Sequence, residues 1–385
     1  MVSAELCRTV SPPLIEVTLS GKAGSDRQEH EVFAKVLEQA PGTVPGTMLS
    51  RFGEECRFLR ATGYAPAIAE LIRLGKELHR LGATLHVEGA AAGSTVFYLE
   101  GLTPFDPAEH GLLSERFIDT GRSPDAGWPW SDQEIAKPDY FVARTSMSPQ
   151  EFLVVLRRRG YRFGATGETI PGLSCTITAK ARGVEDDDCS AHVVVMASSV
   201  AVLSNCLSAQ ERVASQSDVQ TWHLLAAGDT AGIEVLESDV VREALRLRKP
   251  RSLEQLTDVL AITRMGSASD AFCLRDMPVY QEDLMRELHA ALGIGLRDAY
   301  ELVRTLGNPL SPTVVRARET FFSVQPPEPP SPREWNRLWD RLVDECPHAV
   351  CKANYLATAH HCLQAAYLKA HHPAEFRAVL RLIGE

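Results

Sequence analysis

The sequence predicts an α+β protein, with a sheet that is flanked and followed by helices. Strand-like runs of apolar and β-branched residues occur at 14–19, 176–180 and 191–197. Longer stretches carry apolar residues at helical spacing, chiefly 26–39 and 48–82, and 149–168 is expected to be a helix followed by a turn. Short strands together with longer helical stretches agree with an α+β fold.

A further helix is predicted to begin after a proline-rich segment. Residues 324–332 (VQPPEPPSP) are typical of a stiff, extended linker. Ser331 and Glu334 have the spacing of a capping box, and Pro332 occupies the first helical position between them. The apolar face of this predicted helix consists of Trp335, Leu338, Trp339 and Leu342.

Composition excludes several classes of protein. Of the 385 residues, 44% are hydrophobic and 23% are charged, which is ordinary for a soluble globular protein. The net charge of −10 argues against strong, sequence-independent DNA binding, which depends on an excess of Lys and Arg. No apolar run is long enough to cross a membrane, and residues 1–17 lack the features of a signal peptide. A cytoplasmic protein is expected.

The nine cysteines have no regular spacing and are expected to be reduced thiols. One cluster combines thiols and imidazoles, the residue types that bind zinc: Cys346, His348, Cys351, His360, His361 and Cys362. Its spacing matches no standard zinc finger or ribbon. We therefore expect a helical hairpin with packed thiols, and a metal site stays the alternative.

A run of small residues at 89–94 (GAAAGS) precedes the apolar run 95–99. Such a turn brings backbone N–H groups close to an anion at a helix N-terminus, so Gly93 and Ser94 are candidate ligand-binding residues. The structural alternative is a turn that only packs a helix against its neighbour.

The surrounding motifs resemble a known family. GAAAGSTVFYLEGLTPFDP, followed by GLLSERF and SPD, resembles the palm of the alpha subunit of bacterial DNA polymerase III. In that family the turn has the pattern G-R-G-S-x-A-G-S, followed by L-L-F-E-R-F and by a P-D-x-D-x-D-F strand. The resemblance implies a nucleotidyltransferase-like (polymerase beta-like) palm sheet.

The departures from the family pattern bear directly on chemistry. The resemblance places the two metal-binding aspartates of the family at Gly127 and Pro129, which have no carboxylate to hold Mg²⁺. Glu88 replaces the arginine of the turn and Ala90 replaces its first serine. We therefore expect a truncated, degenerate polymerase core that has no metal, no Mg²⁺ and no other cofactor.

Later segments extend the resemblance into the fingers. TAGIEVLES at 230–238 and LEQLTDVLAITRMG at 253–266 are similar to fingers motifs, and 280–282 keep the family's Y-Q-E. Near the C-terminus, 350–376 resembles F-N-K-S-H-x-A-A-Y-A and the residues that follow it. Lys352 keeps the lysine of this motif, whereas Asn354 replaces its histidine.

The resemblance also suggests a division of the chain into domains. We predict an N-terminal extension at 1–47, a palm-like domain at 48–222, a fingers-like helical region at 223–323, the linker at 324–332 and a C-terminal helical segment at 333–385.

The leading functional hypothesis is a re-purposed enzyme that is not a DNA polymerase. It would bind a small or anionic molecule in the cleft between palm and fingers. We predict that Arg264 and Lys352 hold the charge of the ligand and that Tyr280 acts as an acid or base. The predicted ligand-binding residues are Gly93, Ser94, Arg116, Gln281 and Trp128.

Two alternatives stay open. One is a non-catalytic decoy, regulator or interaction protein that keeps the shape of a polymerase core. The other is a residual nucleotidyltransferase, which would need substitute carboxylates such as Asp125, Asp132 and Asp139. Each predicted site residue also has a purely structural interpretation, in which it braces neighbouring helices.

Overall fold

The chain forms a mixed sheet at one end and an assembly of helices at the other. The computed structural model describes residues 14–19, 46–61, 65–117, 140–165, 176–180, 191–263, 280–308, 313–326 and 331–383. The described residues confirm the predicted α+β class. Whether the sheet is a nucleotidyltransferase palm stays a prediction.

The sheet has six strands in the order β2-β3-β6-β1-β5-β4. The strands are β1 (Leu14–Leu19), β2 (Leu85–Glu88), β3 (Tyr140–Thr145), β4 (Arg162–Ala165), β5 (Thr176–Lys180) and β6 (Ala191–Ala197). Two neighbouring pairs, β3 with β6 and β1 with β5, are parallel, and the other three are antiparallel. The mixture of directions agrees with an α+β fold rather than a purely parallel one.

Strand β1 lies in the interior of the sheet, between β6 and β5. The predicted N-terminal extension thus contributes a strand to the same sheet as the predicted palm-like domain. The predicted strands at 14–19, 176–180 and 191–197 are confirmed. The predicted helix at 26–39 lies outside the described residues.

Four helices come before or within the sheet region: α1 (Gly46–Ala61), α2 (Ala65–Arg80), α3 (Thr95–Leu99) and α4 (Pro149–Arg158). A 3₁₀ turn at Gly89–Gly93 connects β2 to α3. Fully buried side chains from these helices, such as Ile68, Leu71, Phe97 and Phe152, form one core with Val87 of β2. Burial of this apolar stripe holds α2 against the sheet.

Five helices follow β6 before the next break in the described residues, and they span the predicted boundary between the palm-like domain and the fingers-like region at 222/223. They are α5 (Ser199–Asn205), α6 (Ala209–Ala214), α7 (Val219–Ala226), α8 (Asp239–Arg248) and α9 (Leu253–Thr263). Ser208, Asp218 and Ser238 cap three of these helices through side-chain hydrogen bonds.

The remaining helices are α10 (Gln281–Leu292), α11 (Leu296–Leu306), α12 (Thr313–Ser323), α13 (Pro332–Glu345), α14 (Lys352–His371) and α15 (Pro373–Ile383). Helix α13 begins with the predicted capping box of Ser331 and Glu334, with Pro332 at its first position. Among the described helices, none combines the length and apolarity that a bilayer crossing requires.

Helix α14 is the central element of the second core. It is 20 residues long, and most of its side chains are buried, including Leu356, Cys362, Leu363 and Leu368. It packs against α5, α7, α9 and the turn at Gly89–Gly93. A helix that is apolar on most of its faces must be covered on all sides, so α14 holds the sheet region and the fingers-like helices together.

Candidate functional site

The turn at Gly89–Gly93 leads into α3, and Ser94 is the N-cap of that helix. Its hydroxyl donates a hydrogen bond of 2.6 Å to Glu55 of α1. The backbone N–H groups of Thr95 and Val96 donate to the same carboxylate at 2.9 and 3.1 Å. The first donors of α3 therefore meet an anion, but that anion is a buried side chain of the same chain.

The beginning of the turn is also bonded within the chain. Gly89 adopts a φ of 67°, a conformation that favours glycine, and its N–H donates to the Asn354 side-chain oxygen at 3.2 Å. Glu88, which stands where the family has arginine, accepts a hydrogen bond of 2.5 Å from Arg144 of β3. Burial raises the pKa of Glu88, and the Arg144 guanidinium partly offsets this rise.

Gly93 is buried, and its carbonyl oxygen accepts a hydrogen bond of 2.5 Å from Arg51 of α1. Arg51 also donates to the Leu112 carbonyl at 2.7 Å. A Cβ atom at Gly93 would lie 3.7 Å from the Leu112 Cβ, which is ordinary contact. The structure thus places both predicted turn residues, Gly93 and Ser94, inside a hydrogen-bonded network.

A second group of predicted residues meets at the N-terminal end of α14. Tyr280 and Val350 form an isolated parallel bridge, which brings the start of α10 beside the start of α14. The buried carboxylate of Glu282 accepts the Lys352 backbone N–H at 3.0 Å. A carboxylate at this position satisfies an otherwise unpaired helix donor and complements the helix dipole.

The side chains of Lys352 and Tyr280 lie close together but have different partners. The Lys352 ammonium donates to the His110 carbonyl at 3.0 Å and lies 5.6 Å from the centroid of the Tyr280 ring. The Tyr280 hydroxyl donates to Asp258 of α9 at 2.6 Å. Burial, together with this carboxylate, raises the pKa of Tyr280. The phenol is thus held protonated near neutral pH and is poorly suited to act as a base.

Asp258 completes a half-exposed group of titratable side chains at this end of α14. Burial raises its pKa, although the Tyr280 hydrogen bond and the Lys352 charge oppose that effect. Glu254 lies one turn earlier on α9 and pairs with the His110 imidazole at 3.0 Å. We name Lys352, Tyr280, Asp258, Glu254 and His110 the α14 end cluster.

Arg116 and Gln281 lie next to this cluster and bind each other. The Arg116 Nε donates to the Gln281 side-chain oxygen at 2.6 Å, and the Gln281 amide donates to the Ala349 carbonyl at 3.2 Å. The Arg116 guanidinium also lies 4.4 Å from the centroid of the Tyr300 ring. Both predicted ligand-binding residues thus have partners that hold α10, α11 and α14 together.

The remaining predicted residues, Arg264 and Trp128, lie outside the described residues, as do Gly127 and Pro129. Of the predicted Cys and His cluster, Cys346, Cys351 and Cys362 are free thiols. No group of three or more His, Cys, Asp or Glu within the described ranges has the arrangement of a metal site.

Sequence reasoning missed the acidic partners, namely Glu55, Asp258 and Glu282. Each lies inside a helix with apolar and polar faces, where charged residues usually face solvent. Glu55 and Glu282 are each 1% exposed, which requires partners. Only the Y-Q-E resemblance drew attention to position 282, and no local pattern singled out position 55 or 258.

The fold defines an α+β protein, and comparisons with known proteins show what the chain resembles. Residues 208–272 match the model of the bacterial DNA polymerase III alpha subunit finger domain. The DNA polymerase III subunit alpha of Thermotoga maritima is 24% identical over 393 residues, which cover 85% of this chain and 46% of the relative. The corresponding subunit of Thermus aquaticus is 28% identical over 192 residues, which cover 42% of this chain and 16% of the relative.

The predicted resemblance is therefore confirmed. The chain is a DNA polymerase III alpha-like protein, and it spans about half the length of its Thermotoga maritima relative.

Proposed function

We propose that this chain is not a DNA polymerase and that its polymerase-like core acts as a non-catalytic binding scaffold. The observation that carries the proposal is the internal closure of the turn at 89–94. The donors that the turn offers are bonded to Asn354 and to the buried carboxylate of Glu55. A triphosphate at this place would meet an additional buried carboxylate, Glu88, which stands where the family has arginine.

The sequence supports the proposal independently of the structure. The family's two metal-binding aspartates correspond to Gly127 and Pro129, so the chain lacks carboxylates where two-metal phosphoryl transfer needs them. The relatives are named as DNA polymerase III subunits alpha, and the sequence similarity that this chain shares with them suggests a regulatory or interaction role beside such an enzyme. A cytoplasmic protein without Mg²⁺ or another cofactor fits this role.

A primer-extension assay tests the proposal. We expect no nucleotide incorporation on a primer–template DNA with all four dNTPs and Mg²⁺. Calorimetry with a single dNTP, with and without Mg²⁺, is expected to show no Mg²⁺-dependent binding. Incorporation, or Mg²⁺-dependent binding of the nucleotide, would contradict the proposal and would favour the residual nucleotidyltransferase.

A re-purposed enzyme that acts on a small anionic molecule is the second candidate. The α14 end cluster favours it, because Lys352 and Asp258 are only half-buried and the pKa of Asp258 is raised by burial. The cleft would then hold an anion against the Lys352 ammonium, and Asp258 would exchange a proton with the ligand.

Thermal-shift titrations with inorganic phosphate and with acetate, on wild type and Lys352→Met, separate the two candidates. Stabilisation of the wild type that the variant loses would favour the enzyme. The scaffold proposal expects no shift with either anion. Arg157→Met, which alters an exposed arginine of α4, is the matched control for the loss of one positive charge.

A further inference from the structure

Three histidines meet between the sheet and the middle of α14, away from the α14 end cluster. His86 lies on β2, whereas His360 and His361 are consecutive residues of α14. The His86 Nδ1 lies 3.3 Å from the His361 Nε2, and the two rings are stacked with centroids 5.0 Å apart. The His360 ring is perpendicular to that of His361, with centroids 6.1 Å apart.

The contact between His86 and His361 depends on a single proton. Two ring nitrogens at 3.3 Å form a hydrogen bond only when one donates and the other accepts. If the accepting nitrogen gains a proton, two N–H groups face each other and the bond is lost, whereas a proton on the far nitrogen of the donating ring keeps the bond but creates a buried imidazolium. The Nδ1 atoms of His360 and His361 have no hydrogen-bond partner in the described part of the chain. Neither imidazolium would thus find a carboxylate there.

The surroundings also disfavour additional positive charge. The titratable and charged groups that act on these histidines or on the adjacent thiol are Arg144 of β3, Arg212 of α6, Glu88 of β2, Glu234, His110 and Cys362. Arg144 stands opposite His86 in the strand register and is neutralised by Glu88. Because burial raises the pKa of Glu88, this carboxylate is protonated as the pH falls. Its ion pair with Arg144 is then weakened, and the Arg144 charge is left uncompensated.

All three histidines are thus held neutral in the folded protein. Burial, with a smaller effect from Arg212, lowers the pKa of His86 to about 4. Burial lowers the pKa of His360 to about 3, with further effects from His86, His110 and Arg212. The pKa of His361 is also far below its ordinary value, chiefly because of burial.

We propose that these three histidines form an acid-sensitive joint, at which protonation separates β2 from the middle of α14. The joint does not rest on the proposed function, because its three histidines belong neither to the turn at 89–94 nor to the α14 end cluster. Its opening would also strain the contact between the turn and α14, where Gly89 N–H meets Asn354 one to two turns along the same helix.

The direction of the pH effect follows from the depressed pKa values. Well above pH 6.5 a histidine is neutral in both the closed and the open state, so the contribution of the joint is fully present. Between pH 6.5 and the folded pKa, the open state binds a proton that the closed state does not, so acid favours opening. For His86 alone, a change from 6.5 to about 4 raises the opening equilibrium roughly 30-fold at pH 5.

Hydrogen exchange of the full chain at pH 7.5 and pH 5.0 tests the proposal, after correction for intrinsic exchange rates. We expect the opening equilibrium of amides in β2 and in residues 357–364 of α14 to rise at least about 30-fold at pH 5.0. Amides of α10 and α11, which belong to a separate core, serve as the internal reference. An equal change in both regions, or no change in β2 and α14, would overturn the proposal.

Variants assign the effect to the histidines. His86→Gln and His361→Gln should each reduce the ratio of opening between pH 5.0 and pH 7.5 by roughly tenfold or more. His79→Gln, at an exposed histidine of α2, should leave the ratio unchanged. An equal decrease of this ratio in His79→Gln would contradict the assignment of the pH effect to His86 and His361.

If the glutamine variants do not fold, NMR titration of the ¹³C-labelled histidines in the wild type tests the proposal instead. Three histidine signals that stay neutral at pH 5.5, and that broaden or shift only together with opening, would support the joint. Titration of these signals near their ordinary pKa, without any loss of structure, would exclude it.

Discussion

The turn at 89–94 and the α14 end cluster contact the same helix, yet their polar groups differ in exposure. At the turn, Glu55 accepts the hydrogen bonds, and Glu55 and Ser94 are each only 1% exposed. In the α14 end cluster, Tyr280 is buried but Lys352 and Asp258 are half-exposed. A ligand would have to displace a buried carboxylate at the turn, whereas at the cluster it would meet accessible charges.

This difference separates two roles that the sequence motifs alone do not distinguish. Polar groups that are fully satisfied inside a protein mainly stabilise and specify its packing. Half-exposed groups with a raised pKa are the ones that most often take part in binding or catalysis. We therefore expect substitutions at the turn to affect stability strongly, and substitutions at the cluster to affect stability weakly.

The largest effect is expected from Glu55→Ala. The change leaves the Ser94 hydroxyl and the N–H groups of Thr95 and Val96 without their acceptor, and it removes the carboxylate that faces Arg51. We expect a loss of about 3–5 kcal/mol in the free energy of unfolding, measured by urea denaturation. Glu54→Ala, at the neighbouring carboxylate, should cost less than about 0.5 kcal/mol. Equal losses in the two variants would refute the central place of Glu55.

Ser94→Ala should have a smaller effect at the same place. It removes the N-cap of α3 and one donor to Glu55, which predicts a loss of about 1–2 kcal/mol in thermal or urea unfolding. Ser94→Thr keeps the hydroxyl and should recover most of this loss. If Ser94→Thr is as unstable as Ser94→Ala, then packing around residue 94, rather than the cap, sets its stability.

At the α14 end cluster, Tyr280→Phe removes the hydrogen bond to Asp258 and keeps the ring. We expect a loss of about 1 kcal/mol in the free energy of unfolding. Tyr98→Phe is the matched control, because the Tyr98 hydroxyl has no hydrogen bond among the described residues. If Tyr280→Phe loses more unfolding free energy than Ser94→Ala, the expectation that the turn contributes more to stability than the α14 end cluster would be wrong.

The smallest effect is a pH dependence from Asp258. Its pKa is raised in the folded state, so ionisation at neutral pH costs stability, and the wild type should gain stability relative to Asp258→Asn as pH falls from 7 toward 4. Because Asp258 is half-exposed, we expect less than about 1 kcal/mol. Urea denaturation of both proteins across this pH range measures the difference. A gain for the wild type as pH rises would contradict the predicted direction.

Local patterns determined a large part of the secondary structure. The strands at 14–19, 176–180 and 191–197 and the helix that begins after Ser331 follow from residue type and capping alone. Strands β2, β3 and β4 were not predicted, and LHVE and RFGA are too short to show alternation. The strand order was also not predictable, since β1 pairs with strands more than 150 residues away.

The candidate site likewise combines residues that the sequence indicated with partners that it did not indicate. The small-residue turn and the family resemblance singled out Ser94, Arg116, Tyr280, Gln281 and Lys352 as candidates, and the resemblance itself is confirmed. Their partners lie far away in sequence or carry no local signal: Glu55 for Ser94, Asp258 for Tyr280, and Gln281 for Arg116. A motif records which residue types are present, but burial and hydrogen bonding depend on which elements pack together. By itself, the sequence determined the resemblance to DNA polymerase III subunit alpha, whereas the absence of metal-binding carboxylates at Gly127 and Pro129 stays a prediction from that resemblance. Only the tertiary structure decided that the turn is closed by Glu55, because that contact forms when α1 and α3 pack against each other.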